Sequence, residues 1–496
     1  MRSFSKSKLV AMRQCPKRLW LDVFHPELNV QSLRSEKAFR AGHQVGEIAR
    51  RIYDPEQSGN LIDLVPGRLD SAFSETIELL KGRRPIFEAG FSAAGAHAFA
   101  DVMLPEGCTC RKFWRMVEVK STTSVKDYQR DDVAIQAFVA RSAGIPLSSV
   151  AVAHIDSTWV YPGNLDYRGL LKEVDLTDEA FARHNEVVAW VAEAQRVVSK
   201  SAEPEVCIGD QCASPFSCGY FEYCSRDQVA AEHPIEWLPR ITVAQRRKLA
   251  ARGIDDLGGV PDELLNPLQR RVKHHTLDGT VFFDAAGAAT ALGTHGFPAY
   301  FLDFESIRFT VPIWPGTRPF QHIPFQFSLH VLTESGTLTH DEFLDVAGND
   351  PSESFARALL GACGQEGPVY VYSAGFEASR IRELALRFPV MGNALMAIIE
   401  RIVDLLPVAQ EHYYHPSQHG SWSIKRVLPA AVPELSYTAL DGVKDGEMAM
   451  DAYLEAIHTE TSIERKAQIE QQLLAYCRLD TYAMVRLWQV FSGRFA

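Results

Sequence analysis

Three consecutive strand patterns, then a helix pattern and a further strand, occur in this order in two separate stretches of the sequence. Short runs of alternating or continuous apolar residues predict strands, and apolar residues three to four apart predict helices. Strands and helices in this succession are typical of α/β proteins. In the first stretch, a helix at about 35–52 precedes the strands. The runs predicted as strands are Ile86–Ser92, His97–Leu104, Phe113–Val119 and Ser148–Ile155, then Ala299–Glu305, Phe325–Leu332, Leu338–Val346 and Val369–Tyr372.

The length of the chain, 496 residues, indicates more than one domain, because single cores rarely exceed about 250–300 residues. Residues 231–293 contain short helical pieces interrupted by Gly and Pro, which we interpret as a helical connector. The predicted domains are therefore 1–230 and 294–496, on either side of that connector. We find no apolar run that could cross a bilayer and no signal peptide. We expect a cytoplasmic protein without a membrane partner.

The charge of the chain is distributed unevenly. The net charge is −11, but residues 1–53 hold 11 Lys or Arg against 4 Asp or Glu. A local surplus of positive charge can attract phosphates even when the whole chain is acidic. A solvated helix surface would have the same composition, so charge alone leaves both interpretations open.

Two carboxylates and a lysine in neighbouring strands form the first candidate site. Asp101 lies within AFADVML, and Glu118 and Lys120 end the next strand in MVEVK. Alternate residues of a strand share a face, so Glu118 and Lys120 point the same way. Carboxylates that hold Mg²⁺ and an ammonium that orients water suit phosphodiester hydrolysis. Gln136 follows on the next helix, in DDVAIQAFV.

These motifs, together with the order of helices and strands over residues 35–155, resemble the RecB-type branch of the PD-(D/E)xK nucleases. The resemblance implies a restriction-endonuclease-like core in which Asp101 and Glu118 hold Mg²⁺ or Mn²⁺. It also implies catalytic roles for Lys120 and Gln136. Members of this family usually have an earlier histidine in the first helix, and an acidic residue could supply that metal contact here instead. The candidates here are His43, Glu47 and Glu88.

Four cysteines fall within residues 207–224, and three of them recur every six residues in QCASPFSCGYFEYC. Thiolates bind zinc or iron–sulphur clusters, and spacing alone does not choose between the two. One N-terminal cysteine and three after the nuclease core resemble the iron–sulphur-stapled RecB-type nucleases. By that resemblance a 4Fe-4S cluster is held by four cysteines, with Cys207 as a spare. The four are Cys15, Cys212, Cys218 and Cys224.

A second acidic set occupies the C-terminal part of the chain. Asp303 and Glu305 share one face of an apolar strand in YFLDFES, and Tyr476 and Asp480 share a helix face at i and i+4. Glu377 follows a strand between them. Buried carboxylates are costly unless a partner such as a metal ion compensates them.

This order resembles the DEDD exonucleases of the DnaQ-like group, tyrosine subtype, over residues 298–496. The resemblance implies a ribonuclease-H-like domain with catalytic residues in its DxE and YxxxD motifs. Metal would be held by the four acidic residues, and the tyrosine hydroxyl would position water. Asp404 and Lys425 are further candidates. The residues concerned are Asp303, Glu305, Glu377, Tyr476 and Asp480.

The whole chain thus resembles a bacterial family that fuses these two nuclease types. Both resemblances imply Mg²⁺ or Mn²⁺ and a nucleic-acid partner, DNA in preference to RNA. We expect a metal-dependent nuclease that acts on single strands or free ends, in repair, recombination or defence. Two alternatives remain: an exoribonuclease, and a nucleic-acid-binding module in which one or both sites are inactive.

Overall fold

The computed structural model describes residues 2–30, 33–64, 67–107, 112–228, 230–293 and 295–494. The chain is mixed α/β and divides into two compact units. Unit 1 consists of Met1–Gln228 and Phe309–Phe320, and unit 2 consists of Val229–Arg308 and Gln321–Ala496. None of the helices among these described residues is long and apolar enough to span a membrane.

Unit 1 contains a seven-stranded sheet in the order β2-β3-β4-β5-β6-β7, with β1 paired to β4. Its core lies between this sheet and the long helix α5, whose buried face is almost continuously apolar. The elements of unit 1 are β1 (Phe4–Ser5), α1 (Lys6–Gln14), α2 (Pro16–Phe24), α3 (Leu33–Tyr53), β2 (Asn60–Leu61), α4 (Leu69–Leu79), β3 (Ile86–Ala93), β4 (Ala96–Glu106), β5 (Phe113–Lys120), α5 (Asp127–Ser142), β6 (Leu147–Ile155), β7 (Leu171–Asp175), α6 (Thr177–Ala182), α7 (His184–Val198) and α8 (Phe221–Ser225).

Strand β1 brings the N-terminal residues into this sheet. It is parallel to β4 and pairs Phe4 with Ala96 and Ser5 with His97. Strand β5 pairs with the C-terminal half of β4, which begins at Val102. The residue that follows β1 therefore lies near the C-terminal end of β5.

The segment Phe309–Phe320 completes unit 1, although in sequence it lies between two strands of unit 2. Val311 is fully buried in an apolar cluster with Val45 and Ile155, and Phe320 packs against the same cluster. The backbone of Tyr161 exchanges hydrogen bonds of 2.8 and 2.9 Å with this segment. The segment is thus part of the packed interior of unit 1.

Unit 2 contains a five-stranded sheet in the order β11-β10-β9-β12-β13. The pairs β9–β10 and β10–β11 are antiparallel, and β12 is parallel to both β9 and β13. Helix α18 packs on β9 and β10. The elements are α9 (Val243–Ala250), α10 (Pro267–Asp278), β8 (Phe282–Phe283), α11 (Ala285–Leu292), β9 (Ala299–Arg308), β10 (His322–Leu332), β11 (Leu338–Leu344), α12 (Ser352–Ala362), β12 (Val369–Val371), α13 (Gly375–Arg387), α14 (Pro389–Glu400), β13 (Ile402–Asp404), α15 (Leu405–His412), β14 (Tyr413–Tyr414), α16 (Ile424–Ala431), α17 (Gly446–Ile457) and α18 (Ile463–Ser492).

Candidate active sites

The four residues predicted for the first site come together in unit 1. Asp101 lies on β4, Glu118 and Lys120 lie on β5, and Gln136 lies on α5. The Gln136 Nε2 atom donates to Glu118 Oε2 at 2.6 Å, and the Lys120 Nζ atom lies 2.8 Å from Glu118 Oε1. Asp101 Oδ2 accepts a hydrogen bond from the backbone N–H of Val119 at 2.6 Å.

Two further residues of this site were missed by the sequence analysis. The Lys6 Nζ atom lies 2.6 Å from Glu118 Oε1, and the Lys120 Nζ atom lies 2.7 Å from Asp132 Oδ2. Asp132 precedes Gln136 by four residues on α5, so the helical spacing could have identified it. Lys6 is 112 residues away from Glu118 in sequence. Only the pairing of β1 with β4 brings it here, and no local pattern indicates that pairing.

The charges of the first site are incompletely balanced. Burial raises the pKa of Asp101 to about 8, and the nearby Glu118 carboxylate adds to the rise. Burial would also raise the pKa of Glu118, but the ammonium groups of Lys120 and Lys6 outweigh it and hold that pKa below its usual range. Together with Asp132, three carboxylates face two ammonium groups. A divalent cation prefers such oxygen ligands, and its charge would favour the ionised form of Asp101.

The three further metal-ligand candidates of unit 1 lie in different surroundings. Burial, and then the charge of Glu118, raises the pKa of Glu88, which places this residue beside the site. His43 and Glu47 are exposed on α3, where His43 Nε2 lies 3.6 Å from Glu47 Oε1. Of the three candidates, Glu88 is therefore the one that the structure brings to the buried carboxylates.

Part of the N-terminal positive charge is engaged in ion pairs within unit 1. The Arg13 Nε atom lies 2.9 Å from Asp131 Oδ2, and the Lys17 Nζ atom lies 3.0 Å from Glu203 Oε1. Lys6 is engaged in the first site. The surplus seen in the sequence therefore overstates the charge that this region offers to a ligand.

Five cysteines line one small cavity of unit 1: Cys15, Cys207, Cys212, Cys218 and Cys224. All five are free thiols. Cys15 stands at the junction of α1 and α2. The backbone N–H of Cys218 donates a hydrogen bond of 2.8 Å to the backbone oxygen of Cys212, which closes the loop between these two cysteines. The cavity thus gathers the four predicted ligands and the spare. Cys108 and Cys110 lie outside the described residues.

The surroundings of these thiols suit a soft metal group. Burial raises the pKa of Cys218 and of Cys224. The positive charge of Arg18 opposes this rise at Cys218, and that of Lys17 opposes it at Cys224. Thiolates next to cations are suitable ligands for zinc or for an iron–sulphur cluster, so this donor set fits either group.

The second site lies on the central strand of the unit 2 sheet. Asp303 and Glu305 are two residues apart on β9, and Asp480 faces them from α18. One carboxylate oxygen of each lies within 4.8 Å of the other two. Glu305 and Asp480 are buried, and Asp303 is partly buried. Among the described residues, this triad meets the spacing required of three ligands to one ion.

Glu377 is a fourth carboxylate of this site. It lies in the first turn of α13, directly after β12, and is 2% exposed. Its charge contributes to the raised pKa of Asp303, and its Oε2 atom has no hydrogen-bond partner among the described residues. A buried carboxylate oxygen without a partner is costly, and a cation would compensate it.

Asp404, the other acidic candidate, has a structural role. Its side chain accepts hydrogen bonds from the backbone N–H groups of Leu406, Ser373 and Ala374 at 2.9–3.0 Å. It caps α15 and holds the loop after β12. Backbone donors therefore occupy both of its oxygens.

Two aromatic hydroxyls and a lysine surround Asp480. Tyr437, which the sequence analysis did not identify, donates a hydrogen bond of 2.5 Å to Asp480 Oδ1. A hydrogen bond from Tyr476 also lowers the pKa of Asp480, although burial raises it more. The Lys425 Nζ atom lies 5.0 Å from the Tyr476 ring centre and 5.5 Å from that of Tyr437. Tyr476 and Lys425 are thus at the site as predicted, with Tyr437 added.

Burial raises the pKa of every carboxylate in the second site, and repulsion from neighbouring carboxylates of the site adds to the rise for Asp303 and Glu305. The pKa rises to about 8 for Glu305, to about 8 for Glu377 and to about 6 for Asp480, and that of Asp303 rises well above its usual value. Burial is the largest cause in each case. The four carboxylates offer hard oxygen ligands, and Lys425 is a nearby positive charge. Such a site suits the binding of one or two divalent cations.

We predict that Mn²⁺ stabilises the protein more strongly as the pH rises. A carboxyl whose pKa is higher in the folded than in the unfolded state makes the metal-free protein less stable as pH increases through that interval. For Glu305 and Glu377 this pH interval runs from their ordinary pKa of about 4.5 to about 8. The melting temperature should therefore fall over this range without metal, and Mn²⁺ should raise it most above pH 8.

Thermal unfolding at pH 5 to 9 with and without Mn²⁺ measures this effect. Replacing Glu305 by Gln and Asp480 by Asn together should remove most of the pH dependence of the Mn²⁺ effect on the melting temperature. Glu353→Gln is the control, because Glu353 is exposed and pairs only with Arg357 on the same helix among the contacts described. A Mn²⁺ effect that is equal at pH 5 and pH 9 would contradict the prediction.

Comparison with protein families gives one match, to a family described as a domain of unknown function (DUF2779), over residues 300–423. The matched region starts in β9 and ends before α16, so it includes Asp303, Glu305 and Glu377. It does not include Tyr476 or Asp480. No significant match was found among curated proteins.

Proposed function

We propose that the chain is a metal-dependent nuclease with one active site in each unit. The observation that carries this proposal is the buried acidic triad of unit 2, whose three oxygens lie within 4.8 Å of one another on the central strand and α18. Few functions other than cation binding compensate so much buried negative charge. The tyrosine on the same helix face gives the triad a means of orienting water.

Unit 2 is proposed to be a ribonuclease-H-like exonuclease domain. The strand order supports this assignment: β9 is central, β10 and β11 continue an antiparallel ladder on one side of it, and β12 and β13 are parallel to it on the other. Asp303, Glu305 and Asp480 would hold one divalent cation, and Asp303 with Glu377 would hold another. When bound, these cations supply positive charge at the reacting phosphate.

The remaining residues of this site act on the water and the substrate. The Tyr476 hydroxyl would orient the attacking water, and Tyr437 would hold Asp480 in place through its hydrogen bond. The Lys425 ammonium would attract the phosphate backbone of the substrate. Glu377 replaces the aspartate that similar sites have in the corresponding place.

Unit 1 is proposed to be a restriction-endonuclease-like, RecB-type nuclease domain. Asp101 and Glu118 would hold Mg²⁺ or Mn²⁺ at the junction of β4 and β5. Lys120 would stabilise negative charge on the leaving oxygen, and Gln136 orients Glu118 through the 2.6 Å hydrogen bond. The support for this assignment is that strands from the middle of the sheet and α5 bring all four residues to one place.

The proposed substrate is DNA with free or single-stranded ends, in repair, recombination or defence, and the proposed location is the cytoplasm. Full-length protein should degrade end-labelled DNA with Mg²⁺ or Mn²⁺ and not with EDTA. Lys120→Met and Asp480→Asn should each change the pattern of degradation products, and the two changes should differ from each other. Faster degradation of RNA of the same sequence would favour the exoribonuclease alternative. If the protein bound DNA or RNA but degraded neither, it would be a nucleic-acid-binding module, and the proposal would be contradicted.

We predict that the cysteine cavity holds a 4Fe-4S cluster rather than zinc. Anaerobically purified protein should contain about four irons per chain and absorb in the thiolate-to-iron charge-transfer region. Cys218→Ser should lose most of this iron and destabilise unit 1, because a structural metal group contributes folding free energy. Cys207→Ser is the matched control and should retain the iron. Zinc without iron in the purified protein would contradict the prediction.

A further inference from the structure

Every oxygen of the Glu118 carboxylate already has a partner in the structure. Oε2 accepts from Gln136 Nε2 at 2.6 Å. Oε1 faces two ammonium groups, Lys6 at 2.6 Å and Lys120 at 2.8 Å. A cation that binds to Glu118 must therefore compete with a positive charge that is already present.

The two ammonium groups differ in how firmly they are held. Lys120 has a second carboxylate within hydrogen-bond distance, Asp132 Oδ2 at 2.7 Å. Lys6 lies 3.9 Å from the same oxygen, which is too far for a hydrogen bond. Release of Lys6 from Glu118 thus breaks one close contact, whereas release of Lys120 breaks two. Lys6 is the ammonium that leaves more easily.

The position of Lys6 in the chain also allows it to move separately from the strands that carry the carboxylates. It is the first residue of α1, directly after the two-residue strand β1. Its side chain is 19% exposed, about as much as the 20% of Lys120, whereas that of Glu118 is 2% exposed. A long, flexible side chain that is partly exposed can turn away from Glu118 without a change in the sheet.

We propose that the Lys6 ammonium occupies, in the metal-free protein, the place beside Glu118 that a divalent cation takes on binding. The cation displaces Lys6, whose charge then becomes available to a phosphate of the nucleic acid. The first step requires only cation binding to Asp101 and Glu118. The second step rests on the proposed nuclease function, so the two can be tested separately.

The test measures Mn²⁺ binding calorimetrically in full-length protein that carries Asp303→Asn and Asp480→Asn, which weaken the second site. In this background Lys6→Met should bind Mn²⁺ about tenfold more tightly, because a like charge next to the ligand has been removed. Lys8→Met, two residues further on, should leave the affinity unchanged. Unchanged or weaker Mn²⁺ binding by Lys6→Met would overturn the proposal.

A second measurement uses the unaltered chain, and so it does not depend on whether Lys6→Met folds. Reductive methylation followed by mass spectrometry reports which amines are accessible. Mn²⁺ should make Lys6 react several-fold faster while Lys120 remains protected. Equal reaction of Lys6 with and without Mn²⁺ would overturn the proposal.

The same variants separate this proposal from the proposed function. Lys6→Met in the otherwise unaltered chain should weaken binding of a single-stranded oligonucleotide in the presence of Ca²⁺, while Lys8→Met should not. Tighter Mn²⁺ binding in a protein that cleaves no nucleic acid would support the displacement of Lys6 and reject the nuclease. Nucleic-acid binding that is equal in Lys6→Met and the parent would reject the second step.

Discussion

Replacing Asp303 by Asn is expected to slow the removal of terminal nucleotides by about 100-fold or more, since loss of a group that stabilises charge at the reacting phosphate costs about 3 kcal/mol of barrier. Asp303 is the residue that both proposed cations share. The same variant should melt at a higher temperature than the parent in EDTA, because burial and then the charges of Asp480, Glu305 and Glu377 raise the pKa of Asp303. Activity and metal-free stability should therefore change in opposite directions.

Release of labelled nucleotides and thermal unfolding in EDTA measure these two effects in full-length protein. Asp341→Asn is the matched control, since Asp341 lies on the exposed strand β11 of the same sheet. It should change neither quantity appreciably. An Asp303→Asn variant with unaltered nucleotide release would show that the acidic triad is not the catalytic site of unit 2.

Replacing Glu118 by Ala is expected to destabilise unit 1 by about 3–5 kcal/mol, the typical cost of leaving a buried charge without its partner. Lys6 would lose its nearest carboxylate oxygen, Lys120 would lose one of its two carboxylate partners, and Gln136 would lose an acceptor. Urea unfolding measures the loss, and hydrogen exchange of the β5 amides assigns it to unit 1.

A compensating variant tests whether unpaired charge is the cause of this loss. Glu118→Gln combined with Lys120→Met removes one negative and one positive charge, so it should recover part of the stability that Glu118→Ala loses. Glu118→Ala and the double variant should both lack the unit 1 activity. Equal stability of Glu118→Ala and the parent would mean that the ion pairs contribute little.

Local patterns in the sequence predicted the regular elements well. The predicted helix at about 35–52 is observed as Leu33–Tyr53, and the predicted strand Ser148–Ile155 as Leu147–Ile155. Thr461 and Ser462 both precede α18, and Ser462 is the residue whose side chain accepts from Arg465 N–H. Adjacent hydroxyl residues are equally suitable caps, so the pattern does not choose between them.

Two of the site residues that the sequence analysis missed, Lys6 and Tyr437, are brought to their sites from distant parts of the chain. Lys6 arrives through the pairing of β1 with β4, and Tyr437 arrives through the 3-10 helix Tyr437–Ala439 before α17. Asp404 shows the opposite case. Its position after a strand resembles that of a ligand, but neighbouring backbone N–H groups use its oxygens. Hydrogen bonds to the backbone are not visible in a sequence pattern.

The segment Phe309–Phe320 has a consequence for the order of events during protein synthesis. Unit 1 receives Val311 and Phe320 as part of an apolar cluster with residues from much earlier in the chain. A growing polypeptide that has reached Gln228 therefore still lacks the last layer of that cluster. The N-terminal unit can finish folding only after β9, the strand that carries Asp303 and Glu305, has also left the ribosome. The first unit to be synthesised is thus not complete until Val229–Arg308 of the second has also been synthesised.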